Sequence, residues 1–211
     1  MSEEARLREA ICWFGKSMYD RGLTAGSSGN ISARVGDAWI MTPTNACLGR
    51  LDPATLSKVD AQGNLLSGSK QTKESFLHLG MYQQRASAGA VVHLHSTHSV
   101  AVSVLGDVDP QEPIPPITAY YVMKIGKLAL IPYYAPGDMA LADAVREVAG
   151  RHHAVLLANH GPIVAGKDLE TAVYATEELE ETAKLFLMLR GNRLKLLTPE
   201  QVADLQQKYP T

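Results

Sequence analysis

Val91-Val92-His93-Leu94-His95 sets two imidazoles two residues apart at the end of a β-branched apolar run. On a strand such residues project from one face, so both rings can converge on a single cation. A second apolar run, Leu156-Leu157-Ala158, leads into Asn159-His160-Gly161 and puts a third imidazole where that strand empties into a loop. Three protein ligands around an ion with one position left open is the pattern of a catalytic zinc. The plainer reading is that histidines at strand ends merely cap or hydrogen-bond. Two polar turns in the N-terminal half, Ala25-Gly26-Ser27-Ser28-Gly29-Asn30 and Thr42-Pro43-Thr44-Asn45, offer a different chemistry. Small residues let backbone N–H groups approach an anion, and Ser, Thr and Asn add donors, so the pair can cradle a phosphate. Lys70-Gln71-Thr72-Lys73-Glu74 comes directly before a helical pattern, where free N–H groups and the helix dipole favour an anion. Thr72 adds a hydroxyl there and Lys73 a cation. Each turn taken alone also fits an ordinary loop.

The elements that must position these residues follow from periodicity. Residues 3–21 carry Leu7, Ala10, Ile11, Phe14 and Met18 as a helical stripe that Gly22 stops. Strand-like pieces at 31–35 and 38–42 are joined by Gly36-Asp37 in a tight turn. A helix is expected over Lys73 to Arg85, strands over 90–94 and 128–132, and a helix over 139–149. A strand pair at 155–158 and 162–165 brackets His160. Asp168 caps a long helix to about Leu189, and Thr198-Pro199-Glu200 starts a last one. No Gly-rich fingerprint runs from a strand into a helix, so a βαβ nucleotide fold is not expected. Hairpin-like strands with interspersed helices predict an α/β layered domain on a largely antiparallel or mixed sheet.

At 211 residues, 45% hydrophobic and 20% charged, the chain can bury a sizeable core as one domain over residues 1–211. A formal charge of -2 leaves no basic footprint for nucleic acid. Two cysteines, Cys12 and Cys47, do not make a disulfide framework and suit a reducing compartment. The opening Ser2-Glu3-Glu4 is not a targeting segment, and no run reaches the length of a membrane span, so a soluble cytoplasmic protein is expected.

Gly29-Asn30-Ile31-Ser32, Thr42-Pro43-Thr44, Lys73-Glu74, His93-Leu94-His95-Ser96 and Asn159-His160-Gly161 occur in one order along nearly the whole chain. Together they resemble the class II aldolase/adducin family, which includes zinc-dependent fuculose-phosphate and rhamnulose-phosphate aldolases and the ribulose-phosphate 4-epimerase. The resemblance implies a three-layer α/β/α sandwich with a mostly antiparallel central sheet, assembled as a homotetramer with active sites between neighbouring subunits. It implies that His93, His95 and His160 bind Zn²⁺, with Glu74 as the acid/base that can visit the metal. It also implies that Gly29, Asn30, Thr44, Asn45 and Thr72 hold substrate phosphate. Tyr121 stands where relatives have a catalytic tyrosine reaching a neighbouring subunit's site, and Tyr209 where they have a second one.

The sugar-phosphate aldolases usually carry two small hydroxyl residues before the catalytic Glu, where this chain has Thr72-Lys73-Glu74; the epimerases carry Asp at that Glu. Leu48-Gly49-Arg50-Leu51, residues 63–68, His93 to Thr97, Tyr120 to Met123, Ile131 to Tyr134 and residues 176–184 resemble more closely the 3-oxo-tetronate 4-phosphate decarboxylases. In such a substrate the carboxylate is β to a ketone, so losing CO₂ leaves an enediolate of dihydroxyacetone phosphate. A class II aldolase makes the same species by releasing an aldehyde. An electrophilic zinc serves either reaction by taking up developing negative charge. Glu74 is expected to protonate the carbanion, and Lys73 to bind the substrate's carboxylate or phosphate, a solvated lysine being the plainer account of it. The alternatives are a fuculose-phosphate aldolase-like enzyme and a non-catalytic adducin-like binding module.

Among the remaining residues, His98 is expected near the metal ligands or in packing rather than as a fourth ligand. His78, four beyond Glu74, is expected in buried hydrogen bonding. His152 and His153 read as surface or loop residues, and the run Glu177 to Glu181 as one solvated helix face.

Overall fold

The computed structural model describes residues 1–135 and 137–210. One eight-stranded sheet runs through it in the order β4-β3-β2-β1-β5-β8-β7-β6. The strands are β1 (Asn30–Val35), β2 (Ala38–Met41), β3 (Ser57–Val59), β4 (Leu65–Ser67), β5 (Ala90–His93), β6 (Leu128–Ile131), β7 (Ala154–Leu157) and β8 (Gly161–Gly166). Every neighbouring pair is antiparallel except β6 with β7. The sheet is thus mostly antiparallel, as expected. The short strands β3 and β4 are additions that the apolar periodicity does not signal: β4 has all three residues exposed.

Helices α1 (Glu3–Asp20), α2 (Ser75–Gln84), α3 (Thr97–Ser103), α4 (Ala119–Lys124), α5 (Ala140–Ala149), α6 (Leu169–Leu189) and α7 (Pro199–Lys208), with a short 3-10 helix at Leu48–Arg50, complete the described elements. Capping accounts for several of their starts. The Ser2 hydroxyl accepts from Ala5 N at 3.1 Å, Asp168 accepts from Thr171 N at 2.7 Å, and Thr198 with Gln201 closes a capping box before Pro199. Alternation along the strands then assigns the layers. Met41, Val91, Ile163, Val155 and Leu157 face α2 and α5. On the other side, Ile31, Ala33, Ile40, Ala90 and Val92 meet α1 and the start of α6, while Leu156 and Val164 meet α3, α4 and the middle of α6. Helices therefore cover both faces of the sheet, giving the α/β/α sandwich. Val91 and Val92 are both fully buried although they point to opposite sides; each contributes about 1.5–3 kcal/mol by leaving water. That double burial makes β5, the strand that carries His93, the rigid centre of the sheet.

No helix among the described residues is long and apolar enough to cross a membrane, and both cysteines are free.

Candidate functional site

His93 ends β5 and pairs across the sheet with Asn30, the first residue of β1. His95 follows two residues beyond the strand end, and its segment is fixed from the other side. The buried Glu180 carboxylate of α6 accepts from His98 N at 2.8 Å and Ser99 N at 2.9 Å, so it caps α3 immediately after the His-x-His segment. It also accepts from Ser99 Oγ at 2.7 Å and pairs with His98 Nδ1 at 2.8 Å. His98 thus anchors a helix and stays out of the imidazole cluster, as expected. Glu180 corrects the expectation of one solvated acidic face, because it is only 6% exposed.

His160 is aimed by the turn between β7 and β8. Asn159 adopts φ 58° there, and its N–H donates to Ser103 Oγ at 3.1 Å. Gly161 then passes Leu94 so closely that a Cβ on it would lie 2.2 Å from the Leu94 carbonyl oxygen, so only glycine lets the β8 end approach the β5 end. Glu74 sits at the N-cap of α2, which starts at Ser75, two residues later than the expected start at Lys73.

The three rings and the carboxylate meet at one point. His95 Nε2 is 3.1 Å from His93 Nε2 and 3.1 Å from His160 Nε2. Glu74 reaches His160 Nε2 at 3.0 Å and His93 Nε2 at 3.4 Å. All four ligand atoms lie within 4.8 Å of one another. His93 Nδ1 is 2.8 Å from the Pro162 carbonyl oxygen, which can only accept, so Nδ1 carries the proton and the buried Nε2 presents a lone pair. Lone pairs facing one another at such distances need a proton or a cation between them. A tetrahedral ion with Zn–N of about 2.0–2.1 Å sets nitrogens about 3.3 Å apart, close to the contacts seen. Three imidazoles and one carboxylate therefore fit a divalent ion of the zinc type.

The electrostatics agree with that fit. Partial desolvation of its ring and the nearness of His93 and His160 push His95 down to about 4, so it offers a neutral ring. Burial alone would raise the Glu74 carboxyl, but the neighbouring His160 and His93 rings and the hydrogen bond from Asn30 outweigh it and hold the group well below the usual carboxylate range. Glu74 is then ionised beside the imidazoles.

A polar cavity of about 310 Å³ opens beside this cluster. Gly29 and Asn30 form one wall, Thr44 and Asn45 a second, and Thr72, Lys73 and Glu74 a third, with His95 exposed to it. The structure thus brings together all six residues expected to touch substrate. The walls are tied to each other by Thr44 N donating to Lys70 O at 3.0 Å and Thr72 N donating to Thr42 O at 3.1 Å. Thr72 is more committed than its sequence suggests, because its hydroxyl accepts from Glu74 N at 3.2 Å. Gly29 is at φ 80°, and a Cβ on it would lie 2.9 Å from Leu94 Cδ2 and 3.1 Å from the His93 carbonyl oxygen, so the first wall lies directly on the end of the strand that carries His93.

Tyr121 lies away from this chain's own imidazole cluster: it is 3% exposed, and its hydroxyl donates to Ile114 O at 3.1 Å. Its aromatic bulk belongs to the cluster under α4, where burial pushes the phenol up. The exposed ring on α4 is Tyr120. His153 is buried rather than superficial, its ring nitrogens 2.9 Å from Ala165 O and 3.1 Å from Ile125 O. Tyr209 lines a larger cavity of about 450 Å³ with Arg85, Lys124 and Lys167. That cavity lies at the start of β5, the end of the strand remote from His93, and lacks the imidazole and carboxylate set.

Residues 9–187 match the family model described as the class II aldolase and adducin N-terminal domain. The chain is 50% identical over 190 residues to a Cupriavidus necator protein named 3-oxo-tetronate 4-phosphate decarboxylase, covering 90% of this chain and 88% of that one. It is 36% identical over 178 residues to an L-fuculose phosphate aldolase of Methanococcus maripaludis, covering 84% and 93% of the two chains. The crystal structure of YgbL from Escherichia coli superposes with a TM-score of 0.95 at 44% identity, covering 97% of this chain and 100% of that chain.

Proposed function

The chain belongs to the class II aldolase and adducin family, and from that premise we propose that it decarboxylates a 3-oxo-tetronate 4-phosphate to dihydroxyacetone phosphate and CO₂. The observation that carries this reading is the convergence of His93, His95, His160 and Glu74 on one point at the rim of a cavity lined by Lys73. Near-full-length likeness to a protein named for that activity supports the choice of reaction. The three histidines would hold a divalent ion, zinc in our reading, which when bound supplies a Lewis acid to draw off the charge that develops at the ketone oxygen.

The chain's own groups do the rest. Gly29, Asn30, Thr44, Asn45 and Thr72 receive the phosphate, where backbone N–H groups, hydroxyls and amides are gathered on facing walls. Lys73 receives the carboxylate and holds its C–C bond in line for cleavage. As CO₂ departs with its bonding electrons left on the substrate, Glu74 delivers a proton to the resulting carbon. The carboxylate must first collect that proton, from solvent entering the cavity or from a substrate hydroxyl. Its low proton affinity keeps it ionised at rest, so the proton it delivers is taken up and passed on within one turnover. Assembly as a homotetramer and a cytoplasmic setting belong to the same reading.

An aldolase shares these groups and differs in its leaving group. Product identity separates the two. Wild-type protein given a 3-oxo-tetronate 4-phosphate is expected to release CO₂ and dihydroxyacetone phosphate in equal amounts. Indifference to that acid, with cleavage of a ketose 1-phosphate to an aldehyde, would replace this reading with the aldolase. Inertness toward both would favour the binding module.

A further inference from the structure

A chain of buried hydrogen bonds leads away from Glu74 into the protein. Asn30 Nδ2 donates to Glu74 Oε2 at 2.7 Å. Asn30 Oδ1 is 2.5 Å from His78 Nε2, His78 Nδ1 is 2.7 Å from Ser32 Oγ, and Ser32 Oγ is 2.9 Å from the Tyr82 hydroxyl. His78 and Ser32 are fully buried, and Tyr82 and Asn30 nearly so.

Every proton in this chain has one consistent place. An ionised Glu74 can only accept, so Asn30 must turn its NH₂ toward it and its carbonyl inward. That carbonyl also only accepts, so His78 must carry its proton on Nε2. Its Nδ1 is then a lone pair that takes the Ser32 hydroxyl proton, which leaves Ser32 to accept from Tyr82. Local geometry makes the ladder possible. Glu74, His78 and Tyr82 recur every four residues on α2, a rise of about 6 Å per step. Asn30 and Ser32 recur every two residues on β1, about 6.6 Å per step. The two rows therefore mesh rung by rung. Tyr82 is steadied at the far end by the Trp39 ring, with centroids 5.5 Å apart, and by the Arg34 guanidinium 5.6 Å above it.

We propose that His78 is a positioning residue: held as its Nε2–H tautomer by Ser32 and Tyr82, it fixes the direction of the Asn30 amide, which steers the Glu74 carboxylate and presents an N–H face to an anionic substrate. With the amide reversed, the Asn30 carbonyl would confront both a carboxylate and the anion the cavity receives. The inference rests on the proposed role of Glu74, but the tautomer and its dependence on Ser32 are properties of the resting protein.

The test therefore has two arms. In the first, ring-¹⁵N histidine spectra of metal-free protein are expected to show His78 protonated on Nε2 and not Nδ1, with Ser32→Ala giving a mixture of tautomers. A wild-type Nδ1–H tautomer, or one that ignores Ser32→Ala, overturns the proposal whatever reaction the protein performs. In the second, His78→Gln keeps a donor toward Asn30 and an acceptor toward Ser32, whereas His78→Leu keeps neither. With metal content and folding matched, His78→Leu is expected to lower kcat at least about tenfold with a smaller change in KM, and His78→Gln to restore most of it. Equal activity of the two variants, whether both intact or both crippled, assigns His78 to packing and overturns the proposal. Should His78→Leu fail to fold, Ser32→Ala replaces it, with a loss of a few-fold in kcat expected and wild-type kcat counting against. If wild type turns over neither the 3-oxo acid nor a ketose 1-phosphate, the functional reading fails and the spectroscopic arm still decides the relay.

Discussion

Replacing Glu74 by Gln removes one ionisable oxygen and almost no volume, so it isolates proton delivery from packing. The Gln carbonyl can still accept from Asn30 Nδ2, which donates at 2.7 Å in the native chain. Its NH₂ then falls toward His160 Nε2, where the carboxylate stood at 3.0 Å. His93, His95 and His160 keep their mutual contacts, so metal content should stay near one ion per chain. Substrate affinity should change by less than about threefold, which is less than 1 kcal/mol. What is lost is a general acid, worth about a hundredfold to ten thousandfold in rate, or about 2.7–5.5 kcal/mol of barrier. Because the proton is needed only after CO₂ has left, rapid-quench assay of ¹⁴C-carboxyl substrate should show up to one equivalent of CO₂ per site released before turnover stalls. In deuterated water, the little dihydroxyacetone phosphate that forms should carry deuterium. Steady-state turnover within about threefold of wild type, with metal retained, would remove Glu74 from the chemistry. A variant that binds substrate but releases no CO₂ at all would show that Glu74 acts before the C–C bond breaks.

Other outcomes follow from the same geometry. His95→Ala should lose metal and activity together, as read by elemental analysis and CO₂ release; full turnover by metal-free protein would refute a metal-dependent site. Lys73→Met should raise KM for the 3-oxo acid at least about tenfold, the scale of one lost charged hydrogen bond, while leaving zinc content unchanged, and an unaltered KM would return Lys73 to solvent. Tyr121→Phe leaves the Ile114 carbonyl without its donor, so it should cost about 1–2 kcal/mol in denaturant unfolding and leave kcat intact; a large fall in kcat at full stability would restore it to the site. Acid should destabilise the metal-free protein through His78, whose folded value of about 3 lies below the ordinary 6.5. The unfolded chain binds that proton first, so the contribution is complete above pH 6.5 and is lost as pH falls toward 3, at up to about 1.4 kcal/mol per unit. Unfolding of His78→Gln between pH 6.5 and 5 should therefore fall less steeply than wild type, and identical slopes would refute a neutral buried His78.

Where the chain signals its own structure, the signal is local. The β5 run, the Asp168 cap and the Thr198-Pro199 start all follow from near-neighbour periodicity or capping, and the structure has them within a residue or so of the expected bounds. The His-x-His pair is legible for the same reason, since residues two apart on a strand share a face whatever the tertiary fold. The inward turn of Tyr121 is not legible, because it depends on a helix of six residues packing against α6 and α7. Nothing in Tyr120-Tyr121 itself says which ring goes inward. His153 and Glu180 fail alike: a histidine beside an apolar strand and a glutamate in an acidic run look solvated until the carbonyls and helix N-terminus that receive them are in place.

The relay from Glu74 to Tyr82 shows where sequence could carry further. Its members are spaced at four and four on one element and at two on the other, both visible in the chain. Only the pairing of α2 with β1 is missing, and that pairing follows once His93 and Glu74 are required to meet at one ion. His93 lies opposite Asn30 in the sheet, so bringing Glu74 to His93 necessarily brings it to Asn30. Helical spacing then carries His78 over the gap between Asn30 and Ser32, and Tyr82 past Ser32. The requirement of a single metal site thus fixes the register of the layer behind it, and the five groups of the relay satisfy one another where a gap would leave a buried donor or acceptor without a partner.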